Sequence, residues 1–68
     1  METTIIKVQG MTCQGCVKSV TRVLQALPGV TQAQVSLEKS EARVDYDATQ
    51  VTPADLRRAV DEAGYEAA

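Results

Sequence analysis

Histidine, tryptophan and phenylalanine are absent from the 68 residues, and only Tyr46 and Tyr65 carry aromatic rings. Without histidine a nucleophilic cysteine lacks its usual base, so protease-like catalysis has no support. Two tyrosines do not make the stacking platform that binds single-stranded nucleic acid. Positive charge is not in excess either: seven Lys and Arg stand against nine Asp and Glu, a formal net charge of −2 at pH 7. Nucleic acid and anionic membrane surfaces are therefore poor partners. No apolar run approaches membrane-spanning length, and the opening METTIIKVQG has neither the basic start nor the long apolar stretch of a secretory signal. Membrane insertion is not expected, and the chain reads as cytoplasmic, where a stable disulfide is disfavoured.

What remains is a small domain with an aliphatic core. A chain of this length supports one domain, residues 1–68, with only a few kcal/mol of net stability. Apolar residues make up 44% of it, enough to argue against disorder.

Periodicity divides the chain into six elements. Thr4, Ile6 and Val8 alternate with Ile5 and Lys7 as a short strand. Val17, Val20, Val23, Leu24 and Leu27 then recur at three- and four-residue steps, which predicts a helix from about Gln14 to Leu27, stopped by Pro28 and Gly29. Ala33, Val35 and Leu37 form the apolar side of a second strand, with Val30 out of phase at its start. Ala42, Val44 and Tyr46 form that of a third. Glu38, Lys39 and Ser40 join them without the Asn-Gly or Gly pair that marks a strong hairpin turn.

The second helix has a capping Thr52, Pro53 in its first turn and Asp55 three residues after the cap. Its apolar stripe is Leu56, Ala59, Val60 and Ala63, and Gly64 ends it before a short last strand from Tyr65 to Ala67. Both helices stop near a glycine followed by an apolar residue, which suggests two similar halves. The order β-α-β-β-α-β, with polar positions on one side of the sheet, predicts an α+β ferredoxin-like open-faced sandwich.

The chemistry is concentrated in GMTCQGC, residues 10–16, which holds both cysteines. Cys13 lies in the loop and Cys16 in or beside the first helical turn, where free backbone N–H groups favour thiolate. Gly10 and Gly15 are expected to let the loop bend and a partner approach. Soft thiolates select soft ions, whereas a structural zinc site needs four ligands that this chain does not own. Two thiolates satisfy Cu(I), Ag(I) or Hg(II) and leave room for a third donor from a partner. A dithiol redox couple uses the same motif, and two small buried hydrophobes would have the same spelling.

Gly10-Met11-Thr12-Cys13-Gln14-Gly15-Cys16, followed by Val20, Leu24, Leu27, Gly29-Val30 and Ala63-Gly64-Tyr65, closely resembles the heavy-metal-associated domain family, of the bacterial copper chaperone type. The resemblance covers essentially the whole chain. It implies that Cys13 and Cys16 bind Cu(I), with Ag(I) or Hg(II) as substitutes, and that Met11 anchors the loop without binding metal. It places Tyr65 near the metal, beside the alternative of plain core packing. It implies a non-enzymatic carrier that delivers Cu(I) to the metal-binding domain of a copper-transporting P-type ATPase, monomeric without metal and open to a metal-bridged dimer. A periplasmic-type mercury carrier shares these ligands and is the alternative, alongside the dithiol redox protein. Lys18 and Arg22, one turn apart on the first helix, are candidates for steering an acidic partner.

Overall fold

The computed structural model describes residues 1–67, in the order β1 (Glu2–Gln9), α1 (Gln14–Gln25), β2 (Val30–Ser36), β3 (Glu41–Tyr46), α2 (Pro53–Glu62) and β4 (Glu66–Ala67). The four strands form one antiparallel sheet in the order β2-β3-β1-β4, the ferredoxin-like arrangement expected from the sequence. None of the described helices is long and apolar enough to cross a membrane.

Alternation along the strands sets the layers. Ile6 and Val8 of β1, Ala33 of β2, and Ala42, Val44 and Tyr46 of β3 turn into the core, while Lys7 and Arg43 face out. Ile5, with 56% of its surface exposed, sits on the outer face. The helices close the inner face with Val20 and Leu24 of α1 and Leu56 and Val60 of α2, all with 0% exposure. Burial of side chains of this size contributes about 1.5–3 kcal/mol each. The half-buried Val35 and Leu37 pack against the margin of this core.

The helix ends obey different chemistry. Thr52 caps α2 through a reciprocal box: its Oγ1 accepts the Asp55 N–H at 3.2 Å and the Asp55 carboxylate accepts the Thr52 N–H at 3.0 Å. Arg58 pairs with the same carboxylate, and these partners hold Asp55 below the usual carboxylate range, the Thr52 N–H contributing most. At the other end, Gly64 takes φ +99°, its N–H bonds to Asp61 O at 3.0 Å, and the Tyr65 N–H bonds to Val60 O at 3.3 Å. This double bond pattern ends the helix and aims the chain back towards β1.

Four expectations are corrected. The first helix ends at Gln25, not Leu27, because a proline disfavours helical geometry in the residue before it. Leu27 to Val30 instead form a turn, closed by the Val30 N–H on Leu27 O at 3.3 Å, with Pro28 and Gly29 at its centre. The two helix ends are therefore not alike. Ala63 is exposed: it is the C-cap residue, and the chain turns at Gly64 before the apolar stripe is completed. The last strand starts at Glu66, leaving Tyr65 as the connection that reaches the cysteine loop. Val30, out of phase in the sequence, lies at a bulge between Val30 and Gln32.

Candidate metal centre

The loop between β1 and α1 brings the two cysteines together. Gly10 takes φ +98° after β1, and Met11, 8% exposed, inserts its side chain into the apolar core. The methionine thus ties the loop to the domain from below, as the resemblance implied. Truncation of Met11 to Ala is expected to cost about 2 kcal/mol, the low end for a buried methionine because the site lies at the core's edge. Urea unfolding checks the cost, and sulfur X-ray absorption of the metal-loaded wild-type protein checks that no thioether joins the metal.

Cys13 is the N-cap of α1, in extended conformation with no side-chain capping bond. Its carbonyl accepts the N–H of Cys16 at 3.1 Å and of Val17 at 3.3 Å, which opens the helix. That turn places Cys13 Sγ 3.3 Å from Cys16 Sγ. Cys13 is exposed and Cys16 half-buried, and both are free thiols. Gly15 lies inside the first helical turn without a positive φ, and a Cβ there would meet Cys13 Sγ at an ordinary 3.6 Å. The expectation that Gly15 serves to bend the loop is therefore corrected; Gly10 alone bends it.

The thiol of Cys16 is pulled down to about 6. The largest cause is the backbone N–H of Thr12, followed by the Cys13 thiol and the Tyr65 hydroxyl, with the Cys13 N–H adding to them against a small opposing effect of burial. The largest of these donors is a loop amide, and backbone donors leave no trace in a motif. Tyr65 is half-buried against the core and has its hydroxyl beside Cys16, and Ser19 is a second polar neighbour. The thiolate pushes the tyrosine's own ionisation upward. Tyr65 therefore packs against the core and stands beside the Cys16 sulfur.

A lowered thiol is ionised above its midpoint and protonated below it. In the reduced, metal-free protein the first thiolate is expected to appear with a midpoint near 6, against about 8.5 for an unperturbed cysteine. Tyr65→Phe removes a donor to the thiolate, so the midpoint moves up. Thiolate ultraviolet absorbance against pH checks both statements, and a midpoint unchanged by Tyr65→Phe would remove the tyrosine from the site.

Chemically, the pair can grip one soft ion at the protein surface. Among the described residues no set of three His, Cys, Asp or Glu side chains is placed to surround a metal. Lys18 and Arg22 are exposed on α1 and line a surface groove with Val17, Thr21 and Gln25.

Comparison with known proteins agrees with this geometry. The chain is 44% identical over 62 residues to a copper-transporting ATPase, HMA5, of Oryza sativa subsp. japonica, covering 91% of this chain and 6% of that protein. It is 40% identical over 62 residues to the copper chaperone CopZ of Staphylococcus haemolyticus, covering 91% of both. The chain thus spans a small fraction of the ATPase and nearly all of the chaperone. The crystal structure of a copper binding domain from HMA7, a P-type ATPase, superimposes with a TM-score of 0.99 at 35% identity, covering 100% of this chain and 92% of that one. The sequence profile of the heavy-metal-associated domain matches residues 5–66, and the chain belongs to that family.

Proposed function

We propose that residues 1–68 act as one carrier domain that holds Cu(I) between Cys13 and Cys16 and passes it to the metal-binding domain of a copper-transporting P-type ATPase in the cytoplasm. The observation that carries this reading is the pair of free thiols 3.3 Å apart, Cys13 exposed and Cys16 half-buried, with the loop amide of Thr12 drawing the Cys16 thiol down. Soft thiolates favour a soft monovalent ion, and two of them leave it open to a third. A partner's thiolate then attacks, one cysteine lets go, and the ion moves without being free in solution. Ag(I) and Hg(II) fit the same pair, and four thiolates from two chains accommodate a metal-bridged dimer. Nothing in this exchange requires catalysis.

The similarity to a copper chaperone of nearly equal length supports a freely moving carrier, and the similarity to domains of copper-transporting ATPases supports a partner built on the same plan. Lys18 and Arg22 give the helix beside the thiols a positive face suited to an acidic partner.

The test is transfer. Reduced protein loaded with one equivalent of Cu(I) is mixed with a metal-free heavy-metal-associated domain of a copper-transporting ATPase, the two are separated, and copper is measured in each. Copper is expected to redistribute within mixing time even when a chelator competes for released ion. Copper that stays put, or that moves only through the chelator, would overturn the reading. Failure of the reduced protein to reduce an insulin-like disulfide separates a carrier from a dithiol oxidoreductase.

A further inference from the structure

The sheet has one edge with almost no protection. β2 is the outermost strand on its side, and from Val30 to Leu37 it carries neither charge nor proline, the two usual guards of an edge. Its bulge lies at Val30 and Gln32 and leaves the stretch beyond regular. The opposite edge of the sheet carries Glu2 and Lys7 on β1 and Glu66 on β4.

The ladder shows which backbone groups of β2 are free. The Val8 N–H bonds to Ser40 O at 2.8 Å, flanking the opposed residues Lys7 and Glu41, which are therefore a pair that exchanges no bond directly. One step on, Ala42 bonds to Ile6, so its N–H and C=O face β1 and turn away from its β2 neighbour Val35. The N–H and C=O of Val35 then point outward. By the two-residue period so do those of Ala33, opposite Val44. The Asp47 N–H on Gly29 O at 2.7 Å, flanking Val30 and Tyr46, gives the same phase from the other end of the strand once the bulge is counted. None of the described residues bonds to these four groups.

We propose that β2 is a self-association edge, on which a second copy of this chain adds its own β2 antiparallel about a twofold axis at Gln34. In that register Ala33 opposes Val35 of the second copy, and the reverse, so the four free groups of each chain meet their complements in four hydrogen bonds. Gln34 faces Gln34 on the outer side of the sheet, amide to amide, and Gln32 faces Ser36. The sequence Gln-Ala-Gln-Val-Ser reads similarly from either end, as a twofold contact requires. The result is one continuous eight-stranded sheet. The contact lies along the sheet's side, apart from the cysteine loop, so it needs no metal.

A single strand pairing buries less than the roughly 1,200 Å² of a stable interface, so the association is weak, with a dissociation constant on the order of 1 mM. At micromolar concentrations the chain stays single.

The test is sedimentation equilibrium and amide chemical shifts of reduced, chelator-treated protein up to about 1 mM. The weight-average mass is expected to rise about 1.5-fold when concentration equals the dissociation constant. Shifts should move with concentration at residues 32–36 and stay constant at residues 14–17. Val35→Pro removes an outward N–H without breaking the internal ladder, and Gln34→Lys sets like charges on the twofold. Either is expected to keep the mass at that of one chain, and Gln34 is exposed, so its variant folds normally. A wild-type mass that never rises, association that survives Gln34→Lys, or shifts confined to the cysteine loop would each overturn the proposal.

Discussion

Replacing either cysteine with serine is expected to lower Cu(I) affinity by more than ~100-fold, since changing a group that merely supports a ligand already costs 10–100-fold. Serine keeps the shape and offers a hard, protonated oxygen where a soft anion is needed. No His, Asp, Glu or further Cys stands in reserve beside the pair among the described residues, so the remaining sulfur would lack a second such ligand. The two variants should also differ. Cys13→Ser removes one of the contacts that draw the Cys16 thiol down, so its binding should demand a higher pH than the wild type's. Cys16→Ser keeps only the exposed sulfur and discards the ionised one. Competition with a Cu(I) chelator across pH measures both, with circular dichroism to show that the fold is retained. Unchanged affinity in both variants would remove Cys13 and Cys16 from the site.

That experiment tests residues the sequence named outright, because a C-x-x-C at a loop-to-helix junction is a spatial statement as well as a chemical one. The period-two alternation of Ile6 and Val8, or of Ala42, Val44 and Tyr46, likewise marks the sheet's inner face in the sequence itself. Thr52 as the cap and Asp55 in the first turn were readable for the same reason: both lie within four residues, and the structure adds the reciprocal bond between them. Features made by tertiary placement were harder to read. The hairpin has no glycine, and closes with Ser40 at φ +52° and its N–H on Leu37 O at 3.3 Å. The Thr12 amide that most affects Cys16 is common to every residue type, and Tyr65 reaches the thiol only because Gly64 ends α2 where it does. Leu27 continues the apolar spacing of α1 yet is not helical, since the proline after it decides the backbone and the spacing does not.

The turn that follows Leu27 is where a single methyl group should do most damage to the fold. Gly29 holds φ +89°, a conformation that costs an L-residue about 1–2 kcal/mol. A Cβ there would also lie 2.7 Å from Gln50 Cβ and 3.4 Å from both Asp47 O and Val51 Cγ1. Gln50 Cβ cannot rotate out of the way, because it is fixed by its backbone, and that backbone is tied down. Its N–H bonds to Asp47 O at 2.9 Å, while the Asp47 carboxylate takes the Thr49 N–H at 2.9 Å and the Thr49 hydroxyl at 2.7 Å. Forced overpacking of this kind adds about 1–3 kcal/mol, so Gly29→Ala should cost about 2–5 kcal/mol in all. A domain of this size holds only a few kcal/mol, and the variant should be largely unfolded at room temperature without metal. Gly15→Ala supplies the contrast. It adds the same methyl inside a regular helical turn with open contacts, and should be neutral or stabilise by up to about 1 kcal/mol. Urea unfolding of the two variants beside the wild type separates the effects. Equal stabilities would mean that the loop from Asp47 to Val51 yields freely, and that α1 and β2 are joined by less constraint than Pro28 and Gly29 impose.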